Sequence, residues 1–207
     1  MHLIGTNPSP PAQSFPKTLE AGICFHSLSD GTWNLIDVIR WLVDVSDVDD
    51  LLISTWTASR DGVDGLLDVV RSSDVGLRFL IDFSFRARQP DACAHLREAI
   101  GDDRIRVWNS HCKFIIGRGD TMSVLILTSA NLNRNIRLEN YSLLCVKTIV
   151  DQYVKLVDKL FQLQHAGDGF VSAGAGRSDT KKILFDESTD SMKDIEDPFR
   201  SINWNAI

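Results

Sequence analysis

His111, Cys112 and Lys113 stand together at the start of an apolar stretch. An imidazole can attack phosphorus, and an ammonium can hold a non-bridging phosphate oxygen. On a β-strand, His111 and Lys113 would share one face, about 7 Å apart, with Cys112 and Phe114 on the other. One phosphate could reach both. A second polar segment, Thr128-Ser129-Ala130-Asn131-Leu132-Asn133, begins where the apolar run Val124–Leu127 gives out. The Ser129 hydroxyl, the Asn131 and Asn133 amides and the local backbone N–H groups could donate to the same anion. Glu139 follows, and a carboxylate on the distal nitrogen of a histidine fixes its tautomer and raises its basicity. Taken singly, an HxK triplet, a polar turn or one glutamate says little. Their order and spacing, with strand-like runs between them, carry the signal.

The elements that must position these groups are legible as periodicities. Gly22–Leu28, Asp50–Thr57 and Leu77–Phe83 read as strands, and the unbroken apolar run of the second predicts burial on both faces. Between them, Trp33–Val45 and Asp61–Ser72 space apolar residues helically, with Ser29 to Thr32 supplying turn and cap residues. Pro90 fits the first turn of a helix over 91–100. Arg104–Trp108, Cys112–Ile116 and Ser123–Thr128 read as three strands, the last two joined by a hairpin at Gly117–Asp120. Tyr141–Val146 is a last strand and Val150–Gln164 a last helix. Strand–helix alternation followed by strands in succession predicts an α/β domain with a mixed, largely parallel sheet.

Three segments follow from composition. Residues 1–18 carry four prolines and read as an extended arm, 19–165 as the domain, and 166–207, with eight acids against five bases, as an acidic tail. The tail ends in a less polar stretch that includes Phe199 and Trp204. Nothing resembles a secretory signal or a membrane helix, so a cytoplasmic protein without stable membrane association is expected. The four cysteines form no CxxC pair, which disfavours a zinc ribbon or a disulfide framework. Cys24, Cys112 and Cys145, in apolar surroundings, are expected to be buried thiols. Net charge is −6, yet 104–137 holds six basic residues (Arg104, Arg106, Lys113, Arg118, Arg134, Arg137) against Asp120 alone. Such a patch could meet a phosphate backbone.

His111-x-Lys113, a hairpin, a strand, Ser129-Ala130-Asn131 and then an acid resembles the phospholipase D-like HKD signature, HxKxxxxD followed by G-S-x-N. The resemblance covers roughly residues 20–164 and implies an α/β/α sandwich. It also implies a phosphodiesterase that needs no metal or cofactor and forms a phosphohistidine. His111 would be nucleophile or acid, Lys113 and Asn131 phosphate binders, Ser129 a motif hydroxyl near the site, and Glu139 the support of His111. The chain departs from the pattern at two positions: Arg118 stands where the motif Asp belongs, with Asp120 the nearest acid, and Thr128 replaces the common Gly. Neither His2, His26, His95 nor His165 has a lysine two residues later, so there is one motif where two-motif enzymes have two. Single-motif members, mostly small bacterial nucleases, build one site from two subunits. A homodimer acting on DNA or RNA is therefore the leading expectation. A phospholipid or small phosphodiester hydrolase, and an inactive fold used for binding or assembly, are the alternatives.

Overall fold

The computed structural model describes residues 14–133 and 137–171. Seven strands form one sheet: β1 (Cys24–Ser29), β2 (Val48–Thr55), β3 (Gly76–Asp82), β4 (Ile105–Trp108), β5 (Phe114–Gly119), β6 (Ser123–Thr128) and β7 (Glu139–Leu144). Among the described residues six α-helices accompany them: α1 (Leu35–Val45), α2 (Arg60–Ser73), α3 (Phe85–Arg88), α4 (Pro90–Ile100), α5 (Lys147–Leu163) and α6 (Asp168–Val171). The cap of α1 is Asn34, whose side chain accepts from Ile36 N–H while Asp37 accepts from the Asn34 N–H. Such a capping box closes two of the free amides at a helix start. Ser29 and Asp30 instead bind the turn just before it.

The strand order is β1-β7-β6-β5-β2-β3-β4. Only β2–β3 and β3–β4 are parallel; the other four pairings are antiparallel. The sheet is mixed, as expected, but mostly antiparallel rather than largely parallel. Helical crossovers are what parallel pairing requires, and only α2 and the α3–α4 segment provide them within the β2–β4 half. From β4 onward the strands follow one another with no helix between, and successive short connections reverse the chain.

Alternation along β2 sends Leu51 and Ile53 to one core and Leu52 to another. The first core joins Phe79, Ile115, Ile126 and Leu143 to α1, α2 and α4. The second joins Leu80, Ile116 and Leu125 to Val150, Val157 and Leu160 of α5. Helices thus cover both faces, an α/β/α sandwich. The cores also reach past the compositional boundaries. Phe15, from the proline-rich arm, packs on Trp33 and Trp41, and Phe170 of α6 is buried.

Cys93 and Cys145 are buried, but Cys24 and Cys112 are exposed, and all four are free thiols. Cys24 lies on β1, an edge strand of the sheet, which its apolar neighbours in sequence do not reveal. Two of the six basic residues, Arg106 and Arg118, are engaged inside the molecule. Arg106 is buried, donating to the carbonyls of Asp103 and Ile105. Arg118 donates two hydrogen bonds to Asp50, at 3.0 and 2.7 Å. Arg134 lies outside the described residues.

Asp50 also accepts from Arg78 at 2.8 Å, and Asp158 of α5 lies 3.2 Å from Arg78 and 3.5 Å from Arg118. Two acids and two arginines thus tie β2, β3, β5 and α5 together. Burial pushes the Asp50 carboxyl up, but its hydrogen bonds to Arg78 and Arg118 and their charges outweigh burial and hold it below the ordinary value. A depressed carboxyl stabilises the fold above its unfolded pKa of about 4, and that stability goes as pH falls through the lower folded value. Asp50→Asn is therefore expected to lower stability at pH 7 and to flatten its decline below about pH 4. Urea denaturation at stepped pH reads both effects; an unchanged acid slope would remove Asp50 from the account.

Candidate active site

Antiparallel pairing brings the ends of β1, β2, β3, β4 and β6 to the same edge of the sheet as the starts of β5 and β7. In mixed and parallel sheets, ligands favour the crevice beyond the strand carboxyl ends where the strand order reverses. Here that place is the border of β2 and β5. His111 and Lys113 enter it from the 109–113 connection.

They are not on a strand. β5 begins at Phe114, although the Lys113 carbonyl still accepts from Thr128 N–H at 3.1 Å. The connection is turned by Cys112 N–H donating to Ser110 Oγ, and Ser54 Oγ donates to the Cys112 carbonyl at 3.0 Å. This turn, rather than strand alternation, brings the two side chains together. Lys113 Nζ donates to the His111 carbonyl at 2.9 Å and lies 3.3 Å from His111 Nδ1. His111 is exposed, and Lys113 is half-buried. Burial pushes the Lys113 ammonium below its ordinary pKa, and the charges of Cys112 and Glu139 oppose the shift.

The second polar segment sits across β6. Thr128 Oγ1 donates to the Asn140 carbonyl and accepts from Ala130 N–H, which folds the chain back at the strand end. Leu132 is pinned from two sides: its N–H donates to Thr55 Oγ1, and its carbonyl accepts from Ser59 N–H at 3.1 Å. Between these anchors Asn131 Oδ1 is buried without a partner among the described residues. Asn131, Asn133 and Glu139 border a small pocket with Asn34, Arg137 and Tyr141. Tyr141 is fully buried; burial and then the charge of Glu139 push its hydroxyl pKa up.

Within one chain, Glu139 accepts from Ser129 Oγ rather than from His111, and Asn140 N–H donates to the same hydroxyl at 3.1 Å. Asp120, the nearest acid to the motif position, is exposed at the β5–β6 turn. So the molecule joins His111 to Lys113, and Ser129 to Glu139, as two groups on one sheet edge. Sequence reasoning missed Asp82 and Arg88, and the packing of Trp56 on His111. A carboxylate following the apolar run Phe79-Leu80-Ile81, as Asp82 does, was the signal available. Among the described residues no group of three or more His, Cys, Asp or Glu side chains is placed to hold a metal ion. No helix among them is long and apolar enough to cross a membrane.

No family model matches the sequence, and no curated protein matches it. Among solved structures, polyphosphate kinase from Porphyromonas gingivalis superposes with a TM-score of 0.52 at 12% identity over 69% of this chain. The chain has the phospholipase D-like fold. It spans 26% of the kinase's length. Two smaller proteins of this fold overlap more loosely. Nuc from Salmonella typhimurium, a phospholipase D family member, gives a TM-score of 0.48 at 12% identity, covering 68% of this chain and 95% of that one. NucT from Helicobacter pylori gives 0.47 at 15% identity, covering 68% and 97%. At such identities the phospholipase D-like likeness is one of fold.

Proposed function

We propose that the chain is a phosphodiesterase of phospholipase D-like type, acting on nucleic acid through a phosphohistidine at a site completed by two copies. The observation that carries this reading is the His111–Lys113 pair, with Nζ 3.3 Å from Nδ1, on the sheet edge that also bears Ser129, Asn131 and Glu139. An ammonium can only donate, so in the free chain that contact makes Nδ1 the acceptor and leaves the proton on Nε2. Substrate phosphate would draw Lys113 to a non-bridging oxygen. Nδ1 would then be free to carry the proton toward a Glu139 carboxylate turned from Ser129 to His111, leaving the Nε2 lone pair for phosphorus.

A bond then forms from Nε2 to phosphorus, and the bond from phosphorus to the leaving oxygen breaks. That oxygen needs a proton, and a second histidine is the natural source at neutral pH. The other described histidines are otherwise engaged or distant in the fold: His26 of β1 bonds Ser142 of β7, His95 pairs with Asp64 between α4 and α2, and His165 lies beyond the end of α5. The His111 of a second copy, brought in by an isologous twofold, supplies it. In the second step that histidine takes a proton from water as the water oxygen attacks phosphorus and the nitrogen–phosphorus bond breaks. Lys113, Asn131 and Asn133 hold the phosphate oxygens, with the Ser129 hydroxyl beside them.

The depressed Lys113 pKa has a kinetic sign. Lys113 loses its charge as pH rises through a value below the ordinary lysine range near 10.4. The ratio kcat/KM should therefore fall early on the alkaline side, and Lys113→Arg, which stays charged, should extend the plateau even if the maximum is lower. A profile with the same alkaline limb in both proteins would assign the limb elsewhere.

The deciding test is hydrolysis of bis(p-nitrophenyl) phosphate and of single- and double-stranded DNA and RNA in excess EDTA. Turnover with an acid-labile, alkali-stable phosphoenzyme is expected. Loss of all turnover in EDTA, or silence from a folded dimer on every substrate, would overturn the proposal and favour the binding-module reading.

A further inference from the structure

The imidazole of His111 is exposed on a connection without regular structure, so something must hold it for attack. Two anchors reach it from the parallel half of the sheet. Asp82, at the end of β3, is 4% exposed. Its Oδ2 accepts from Ser110 N–H at 3.2 Å, fixing the main chain one residue before His111. Its Oδ1 accepts from the Ser84 N–H and hydroxyl and lies 3.5 Å from Arg88 Nη2.

Arg88, at the end of α3, carries the second anchor. Its Nη2 donates to the Trp56 carbonyl at 2.7 Å, and its guanidinium carbon lies 3.5 Å from the centre of the Trp56 ring. A guanidinium stacked on an indole and hydrogen-bonded to that residue's own backbone leaves the ring little freedom. The His111 imidazole packs on this indole, with ring centres 5.0 Å apart and a 53° tilt. Lys113 Nζ stands 5.9 Å from the same ring centre. A nucleic-acid base could stack on the Trp56 indole only by displacing Arg88, which already lies over the ring.

We infer that Asp82, Arg88 and Trp56 are positioning residues for His111: Asp82 clamps its main chain, and Arg88 fixes the indole against which its ring is set. The inference rests on the phosphohistidine reading above for its kinetic consequence but not for its geometry. Misplacing a reacting group by about 1 Å can cost on the order of 10²-fold in rate. Asn131 stands outside this frame, and Lys113, which meets it at the His111 carbonyl and the indole, keeps its own anchor in the Thr128 N–H bond to its carbonyl, so the loss should fall more on kcat than on KM.

The test uses the full chain, three variants of the frame and His111→Gln for assignment. Arg88→Met keeps the stem of a partly exposed side chain and removes the charge and donors. Trp56→Leu removes the ring, and Trp56→Phe restores a smaller one. Proton NMR of the His111 ring, assigned by its absence in His111→Gln, should show an indole ring-current shift in the wild type. That shift should collapse in Trp56→Leu and diminish in Arg88→Met. In the same proteins kcat should fall about 10- to 100-fold, with Trp56→Phe recovering part of it. An unchanged His111 resonance in Trp56→Leu would overturn the inference whatever the activity. So would a rise in KM at constant kcat, which would make Trp56 a substrate-stacking group. If the wild type turns over no phosphodiester, the NMR comparison still decides the geometry, and only the proposed function falls.

Discussion

His111→Ala is expected to lower phosphodiester hydrolysis by at least about 10³-fold, the scale on which a missing nucleophile or general acid is felt. Stability should change by less than about 0.5 kcal/mol, because the side chain is exposed and touches little beyond Lys113 and Trp56. The same variant tests the shared site. When wild-type and His111→Ala chains are unfolded together and refolded, dimers assort at random. If one histidine attacks while the other protonates the leaving oxygen, a mixed dimer lacks one role or the other. Activity should then follow the square of the wild-type fraction. A linear fall would mean that each chain works alone, and the homodimeric mechanism would be lost even though His111 remained essential.

What the sequence revealed and concealed divides along a physical line. Apolar periodicity is local, and it located all seven strands and the four longer helices to within a few residues. The pairing of strands is not local. Alternation of strands and helices in the first half suggested a mixed but largely parallel sheet, whereas β5, β6 and β7 follow one another by short connections and pair antiparallel. His111 and Lys113 came together as expected but by a different route. Ser110 and Cys112 make a turn there, so strand spacing was the wrong ruler for the right pair.

Charge was misread for the same reason. The six cations between 104 and 137 looked like a patch, but the groups that occupy Arg106 and Arg118 include Asp50, Asp158 and Phe161, far away in sequence. Arg118 is the instructive case. It stands where the HKD pattern has an acid, and it bonds an acid on the neighbouring strand. The hairpin keeps an ion pair at this point with the charges distributed to suit Asp50. Departure from the motif there bears on how β5 is fastened to β2, at a point along the strands well removed from His111.

Gly62→Ala is expected to destabilise the protein by about 2 kcal/mol, although helix propensity alone predicts a gain of up to about 1 kcal/mol. Gly62 lies in the first turn of α2, where a Cβ would stand 2.0 Å from the Leu132 carbonyl oxygen and 2.9 Å from its carbon. These are backbone atoms, held on the other side by Thr55 and Ser59, and they cannot swing aside as a side-chain tip could. Overpacking against such a wall costs roughly 1 to 3 kcal/mol and sometimes more, so it outweighs propensity. For a chain of this size the melting temperature should drop by about 4 to 8 °C. The displaced segment also carries Asn131, so kcat/KM should fall about 10- to 100-fold under conditions where the variant is fully folded. Ser59→Ala is the control, because it removes the α2 cap at a cost of about 1 kcal/mol and leaves Leu132 in place. Its activity should hold. A Gly62→Ala protein more stable than wild type, with unchanged activity, would show that the 130–133 segment yields freely and that α2 has no part in placing Asn131.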